Sequence, residues 1–388
     1  LDRVGKTMKG VRDIPGMRYF MPFLKTPYNA FKYAFIDRGP IGVFYGESKR
    51  AIERGKLPGA SSADKAAGDM AMARLIMGNA TAAIMFSLTA NGEITGGGPA
   101  DPGVRAALRE TGWQPYSIKV GNEYISYMGL EPFTSTIMLG ADAAETYMSG
   151  AVNDDDGMKI AASVAAAFAH QLTDKTFMSG FSNLVSTLND PTRYAGRTVD
   201  DFISSIVPRV VSQGERLIDP TVSAAYDAVD RIKAQIPGWS STLPPRRNLA
   251  GQVQTLGGAA GPDVLSPFYS STVGPNPADK NPNRAKRAYK MFQEMVDVRF
   301  SASPHPDTYD ENIGLKPLEI DKFHQYAGKH TIDEFENLMD ESSYQDFRER
   351  AVAGDLLARE QLHLRIRGAI QLARGRAKQD LLDDPEVG

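Results

Sequence analysis

The sequence predicts a mostly α-helical fold: a multi-helix assembly with one small β-hairpin and long irregular loops. Apolar residues recur at three- and four-residue spacing through most of the chain, the period of a half-buried helix. Prolines punctuate the first 60 residues, and Gly, Pro and Ser gather over 237–282 between two helical regions. One segment alone, 116–127, alternates apolar and polar residues on both sides of a turn pair, Gly121-Asn122.

Residues 1–60 are interrupted by Pro15, Pro22, Pro27, Pro40 and Pro58. Each proline ring removes a helical N–H and crowds the preceding turn, so only short helices fit, over 29–36 and 41–54. The longest helical pattern of the N-terminal half follows at 63–91, with Ser61-Ser62 to cap its start and Asn91-Gly92 its end. Along it Met70, Ala73, Ile76, Met77, Ala80, Ile84 and Leu88 recur at helical spacing. The run Gly96-Gly97-Gly98-Pro99 separates it from a short helix at 101–111, and the hairpin at 116–127 comes next.

Helical spacing returns at 133–149, 157–171, 175–188, 200–213 and 221–236. Residues 237–282, with Pro244-Pro245 and Gly257-Gly258, read as a long irregular excursion that wraps its own chain or a neighbour. A helix is expected at 284–298. Thr331-Ile332-Asp333-Glu334 and Ser342-Ser343-Tyr344-Gln345 each fit a capping box, the second opening a long helix over 343–382 softened by Gly354 and Gly368. Four regions result: a basic, proline-punctuated arm (1–60), a helical domain containing the hairpin (61–236), a Gly/Pro-rich wrapping loop (237–282) and a C-terminal helical region (283–388).

The balance of 42% apolar and 23% charged residues over 388 positions is that of a folded chain. A net charge of −3 argues against a globally basic nucleic-acid binder, though not against a local basic patch. The absence of cysteine removes disulfides, thiolate nucleophiles and cysteine-based zinc sites. Charge is unevenly spread. Residues 1–60 carry twelve Lys/Arg against five acids, 301–346 eleven acids against three lysines, and 347–378 eight basic residues against three acids. Such blocks suit solvated helix faces, or a protein that meets copies of itself or a polyanion. The chain opens on Leu1 and closes on Gly388 after an acidic run, which suggests the ordered part of a longer polypeptide.

No catalytic or metal signature emerges, and no cofactor is expected. The glycine run lacks the Gly-Lys-Ser/Thr of a phosphate loop, so it reads as a turn between helices. Asp154-Asp155-Asp156-Gly157 lacks the alternating ligands and distal glutamate of a calcium loop and reads as the acidic start of a helix. The five histidines have no metal-ligand spacing and no acid partner nearby in sequence; His170 reads as a helix-terminal or core residue.

Two segments invite a binding role. Leu75–Ala90 is sixteen residues without a charge, with Gly78 and Ala82 as a small-xxx-small face. At ~1.5 Å per residue it reaches roughly 24 Å, short of the ~30 Å hydrocarbon core. Its Asn79, Thr81, Ser87 and Thr89 suit a buried bundle helix or a water-lined channel better than lipid exposure. As a membrane or channel helix, its candidate residues are Leu75, Ile76, Gly78, Ala82, Ile84 and Leu88. The basic arm, with Arg3, Lys6, Lys9, Arg12, Arg18 and Lys25 among interleaved aromatics, offers contacts to DNA phosphates, to anionic lipid or to an acidic neighbouring subunit.

A series of short motifs carries a resemblance. Met21-Pro22-Phe23-Leu24-Lys25-Thr26-Pro27-Tyr28-Asn29 is followed by Gly92-Glu93-Ile94-Thr95-Gly96-Gly97-Gly98-Pro99, Thr111-Gly112-Trp113-Gln114-Pro115-Tyr116-Ser117-Ile118 and Leu130-Glu131-Pro132-Phe133. Later come Ile236-Pro237-Gly238, Leu243-Pro244-Pro245-Arg246 and Leu265-Ser266-Pro267-Phe268. In this order, over about residues 10–380, they resemble the large internal virion proteins of tailed bacteriophages, the ejection or inner-core proteins. The resemblance implies storage inside the virion and then, on infection, assembly in the host cell envelope as part of a conduit for DNA. Implied partners are further copies of the chain, other ejection, portal or tail proteins, DNA and the host membrane. It implies no enzymatic residue in this segment. The competing expectations are a passive internal core scaffold and a non-catalytic accessory domain of a large phage cell-wall hydrolase or polymerase chain.

Overall fold

The computed structural model describes residues 32–39, 41–44, 46–128, 134–148, 243–254, 270–301 and 317–385. The basic-arm candidates Arg3, Lys6, Lys9, Arg12, Arg18 and Lys25 lie outside them, as do His170, Asp154-Asp155-Asp156 and the expected helices at 157–171, 175–188, 200–213 and 221–236. The protein is mostly α. A π-helical turn, Lys32–Asp37, precedes α1 (Ile41–Phe44), α2 (Glu47–Gly55), α3 (Ser62–Ala90) and α4 (Pro102–Glu110). Strands β1 (Ser117–Val120) and β2 (Glu123–Ser126), α5 (Thr134–Met148) and β3 (Ser270–Thr272) follow, then α6 (Pro282–Asp297), α7 (Pro317–Met339), α8 (Ser342–Val352) and α9 (Leu356–Leu382).

Local chemistry sets the ends of these elements. Ser61 accepts the Asp64 N–H and starts α3; Asp101 accepts the Gly103 and Val104 N–H groups and starts α4. The expected hairpin forms around Gly121, whose positive φ of 60° the turn requires. It is part of a three-stranded sheet ordered β1-β2-β3, in which Glu123, Tyr124 and Ile125 pair antiparallel with Thr272, Ser271 and Ser270.

Two expected helices and one expected cap come out differently. The span 41–54 breaks into α1 and α2 at Gly46, which takes a φ of 106° that side-chain-bearing residues avoid. The helix expected over 343–382 breaks at Gly354 (φ 103°), and Asp355 restarts the chain by accepting the Leu357 and Ala358 N–H groups. The capping box at Thr331 is not used. Helix α7 runs through it, and the Thr331 hydroxyl donates instead to the Ala327 carbonyl one turn back.

The chain divides into two compact units. Of the described residues, the first holds 32–98, 115–119 and 126–148, and the second 99–114, 120–125, 243–301 and 317–385. In the first, α3 packs along α2 and α5, and Met85 and Leu88 lie on a small core of Ile94, Tyr116, Tyr127, Met138 and Ala141. In the second, Met291, Phe292 and Met295 of α6 meet Ile332 and Phe335 of α7, Tyr344 of α8 and Leu362 and Ile366 of α9. Bidentate pairing of Arg287 with Glu336 holds α6 to α7, and Arg376 with Glu334 holds α9 to α7.

One described part of the excursion, 243–254, packs on its own chain. Arg247 and Val253 form an antiparallel bridge, and the Asn248 side chain accepts the Ala250 and Gln252 N–H groups. Gly251 (φ 70°) then lies so close to Gly328 of α7 that a Cβ on Gly328 would stand 2.0 Å from its nitrogen. Arg247 seals the contact with two bonds to Asp321, at 2.7 and 3.1 Å.

Candidate membrane-contact surface

Helix α3 has two faces of opposite character. Inward point Gly68, Ala71, Leu75, Gly78 and Thr89. Small residues are needed there because backbone approaches backbone: a Cβ on Gly78 would stand 2.1 Å from the Arg38 carbonyl oxygen, and one on Gly140 of α5 would stand 2.2 Å from that of Ala82. Outward point Met70, Ala73, Ile76, Met77, Ala80 and Ile84, and Ile76, Met77 and Ile84 are 61%, 71% and 56% exposed.

The candidate channel residues therefore divide. Leu75 and Gly78 are buried, Ala82 and Leu88 are half-buried against α5 and the core, and only Ile76 and Ile84 face outward. The small-xxx-small pair is used inside the unit. The expectation of a buried bundle helix is corrected as well: among the described residues α3 alone is long and apolar enough to cross a membrane, and only 17% of its apolar stretch is buried. Close packing through glycine and alanine seats one side of the helix without covering the other.

Two of the polar residues within this stretch bond back to their own helix. Asn79 donates to the Leu75 carbonyl at 2.8 Å and Thr81 to that of Met77 at 2.9 Å. Back-bonding of this kind lowers the cost of placing them against an apolar medium. Charge gathers at the other end of the helix. An open groove of about 1000 Å³ between α2 and α3 is lined by Lys32, Arg50, Arg54 and Arg74 together with Asp37, Glu47 and Glu53. Lys32 pairs with Glu47 at 2.6 Å, and burial pushes the Asp37 carboxyl up against the neighbouring cations that lower it. Exposed Leu57 and Met70 stand at its edge.

Beside the C-terminal end of α3 lies the glycine run. Gly96 and Gly98 donate their N–H groups to the two oxygens of Glu145, at 2.8 and 2.7 Å, and Gly97 donates to Asp142 at 2.7 Å. The Tyr116 hydroxyl donates to the second Asp142 oxygen, and Tyr127 donates to the Thr95 carbonyl. Burial, with the Asp142 and Glu145 charges nearby, pushes the Tyr127 phenol far up, so it stays a donor. The loop is thus an anion nest filled by its own carboxylates, and a phosphate would have to displace both. The two acids gave no sequence signal because they lie on α5, more than 40 residues from the loop.

His330 finds a partner that its sequence neighbours did not suggest, Asp380 of α9 at 2.7 Å, where the pair braces α7 against α9. Among the described residues no three His, Asp or Glu side chains stand together as a metal site. No family model, no curated protein and no solved structure matches the chain.

Proposed function

We propose that this chain is a non-catalytic segment of an internal virion (ejection) protein of a tailed bacteriophage, acting on infection at the host envelope as part of a DNA conduit built from several copies. The observation that supports this best is the outward face of α3: Ile76, Met77 and Ile84 in one exposed apolar strip, with arginines at its beginning. Monomeric proteins rarely leave such a strip bare without a use for it. The inner face of the same helix is engaged through Leu75 and Gly78, so the contact is one-sided: α3 lies on the membrane with its outer face inserted.

The test is flotation of the protein with vesicles containing phosphatidylglycerol, with dye leakage read from the same sample. Co-flotation with leakage is expected. It should be lost in the variant Ile76→Asp/Met77→Asp/Ile84→Asp, whose substitutions are all outward and leave the helical circular-dichroism signal and melting temperature unchanged. Leu88 is left alone because it packs on the core. A folded wild-type protein that stays at the bottom of the gradient would favour the passive scaffold inside the virion, and a variant that floats and leaks equally would refute the contact through α3.

A further inference from the structure

Helix α9 carries two seams on opposite sides. One is buried: Ala358, Leu362, Ile366, Ile370, Ala373, Ala377 and Leu381. The other faces solvent along Leu357, Leu364, Gly368, Gly375 and Leu382, with Gln361, Gln371 and Gln379 between them, all exposed. Leu357, Leu364 and Leu382 are 71%, 58% and 79% exposed. These steps of three and four residues hold one line along a helix, the pattern of a helix–helix seam.

Among the described residues, nothing accounts for the two glycines. Neither has an atom within 4 Å of where a Cβ would stand, and both lie at ordinary helical dihedrals. A helix-interior glycine costs roughly 1 kcal/mol relative to alanine. That cost is offset where a second helix needs the space.

We infer that this outer seam pairs with the same seam of a second copy, antiparallel and about a two-fold axis between Arg367 and Leu372. The occupant follows from self-complementarity. When the two helices run antiparallel about that axis, Leu357 meets Leu382 of the other copy and Leu364 lies over its Gly375, a branched side chain against a bare backbone. Each contact occurs twice. On one flank, Glu360 comes opposite Lys378 of the other copy, again twice, so opposite charges fix the register. On the other flank, Arg365 and Arg376 are held within the molecule by Glu341 and Glu334. A parallel pair would place Gly368 on Gly368, leaving a gap, and would put Glu360 and Lys378 too far apart along the seam to meet.

One helix pair buries less than the ~1,200 Å² of a stable specific interface, so the contact alone is weak. This deepens the multi-copy part of the proposed function and is independent of the membrane contact through α3.

The test uses the whole chain without lipid. Sedimentation velocity from 1 to 200 µM is expected to show a reversible dimer that Leu364→Asp abolishes, with melting unchanged because the side chain is exposed. Glu360→Lys and Lys378→Glu should each weaken the dimer at least tenfold, and the double exchange should restore it. The chain has no cysteine, so Glu360→Cys/Lys378→Cys reports the register directly. Mild oxidation should give a covalent dimer from that pair but not from Glu360→Cys alone, whose two copies stand about 27 Å apart along the seam. A monomer at all concentrations, a dimer indifferent to Leu364→Asp, or efficient cross-linking through Glu360→Cys alone would overturn the inference. Loss of flotation with the dimer intact would strike the membrane contact and leave this seam standing.

Discussion

Replacing Gly140 by alanine tests the seat of α3 most sharply. The new Cβ would stand 2.2 Å from the Ala82 carbonyl oxygen and 3.0 Å from the Ala82 carbonyl carbon and Cα. Favourable contact begins near about 3.5 Å, so α3 and α5 must part locally by roughly 1 Å. No side-chain rotation relieves this, because every clashing atom is backbone. Overpacking of this kind costs about 1–3 kcal/mol, and alanine's better helix propensity returns up to about 1 kcal/mol. The balance is a loss of about 1–2 kcal/mol, which should speed amide exchange in α3 and α5 by about 5- to 30-fold. Hydrogen–deuterium exchange with peptide resolution is the assay, since it reads the opening of α3 and α5 separately from the rest of the chain. Gly375→Ala in α9 is the control of opposite sign. No atom lies within 4 Å of that Cβ, so the change should stabilise α9 by up to about 1 kcal/mol when measured below the dimerisation range. Exchange in α3 and α5 that stays unchanged or slows in Gly140→Ala would refute the close approach of the two backbones.

Asp142→Asn removes the charge that Gly97 and Tyr116 bind, and should cost about 1–2 kcal/mol, read as roughly tenfold faster exchange over 92–98. Asp321→Ala leaves Arg247, whose side chain is 11% exposed, without its bidentate partner; calorimetry should show a loss of about 3 kcal/mol, against less than about 0.5 kcal/mol for Asp346→Ala in an exposed pair. Glu110 is pushed up by burial, opposed by hydrogen bonds from Asn248 and Gln254, so the folded state holds its proton to higher pH than the unfolded one. Its contribution to stability is therefore greatest at low pH and falls as pH rises above the ordinary carboxyl value of about 4.3. The melting temperature of Glu110→Gln relative to wild type should rise between pH 5 and pH 8, and a constant difference would contradict a raised pKa.

What the sequence disclosed was local. Ser61 and Asn91 marked α3 to within a residue of its ends because caps act on their own backbone, and Gly121-Asn122 marked the turn for the same reason. What it concealed depends on distant partners. Of the apolar residues at helical spacing, Met70, Ala73, Ile76, Met77, Ala80, Ile84 and Leu88, only Leu88 packs on the core, while Gly68, Ala71, Leu75 and Gly78 are inside. Hydrophobicity ranks residues by transfer from water, whereas this contact is set by how closely two backbones must approach. Strand β3 was missed because Ser270-Ser271-Thr272 has no apolar alternation; its pairing is a matter of backbone hydrogen bonds to β2. The Thr331 box failed because Ile332 and Phe335 are buried, which rewards a continuous helix more than a new start. Of the candidate site, the helix itself was legible, but not which of its residues face out or the carboxylates that fill the glycine loop.

The two bare apolar faces, on α3 and on α9, differ in a way that fits the separate roles proposed for them. The α9 seam alternates leucine with glycine and glutamine, a surface with hollows that only a partner of matching relief can fill. The α3 face carries Ile76, Met77 and Ile84 among alanines, uncharged from Leu75 to Ala90, with no glycine on the outside and no charged flank to fix a register. A smooth, unregistered apolar strip suits a fluid phase, and a notched, charge-flanked one suits a second helix. Spanning would require α3 to leave Arg38 and Gly140 and expose Leu75, and its sixteen uncharged residues would still cover only about 24 Å of a ~30 Å core. In the described conformation, the reading that keeps every buried contact has α3 lying on the bilayer and α9 joining the copies, so that further copies or partners, rather than this helix alone, would have to complete a path across the membrane.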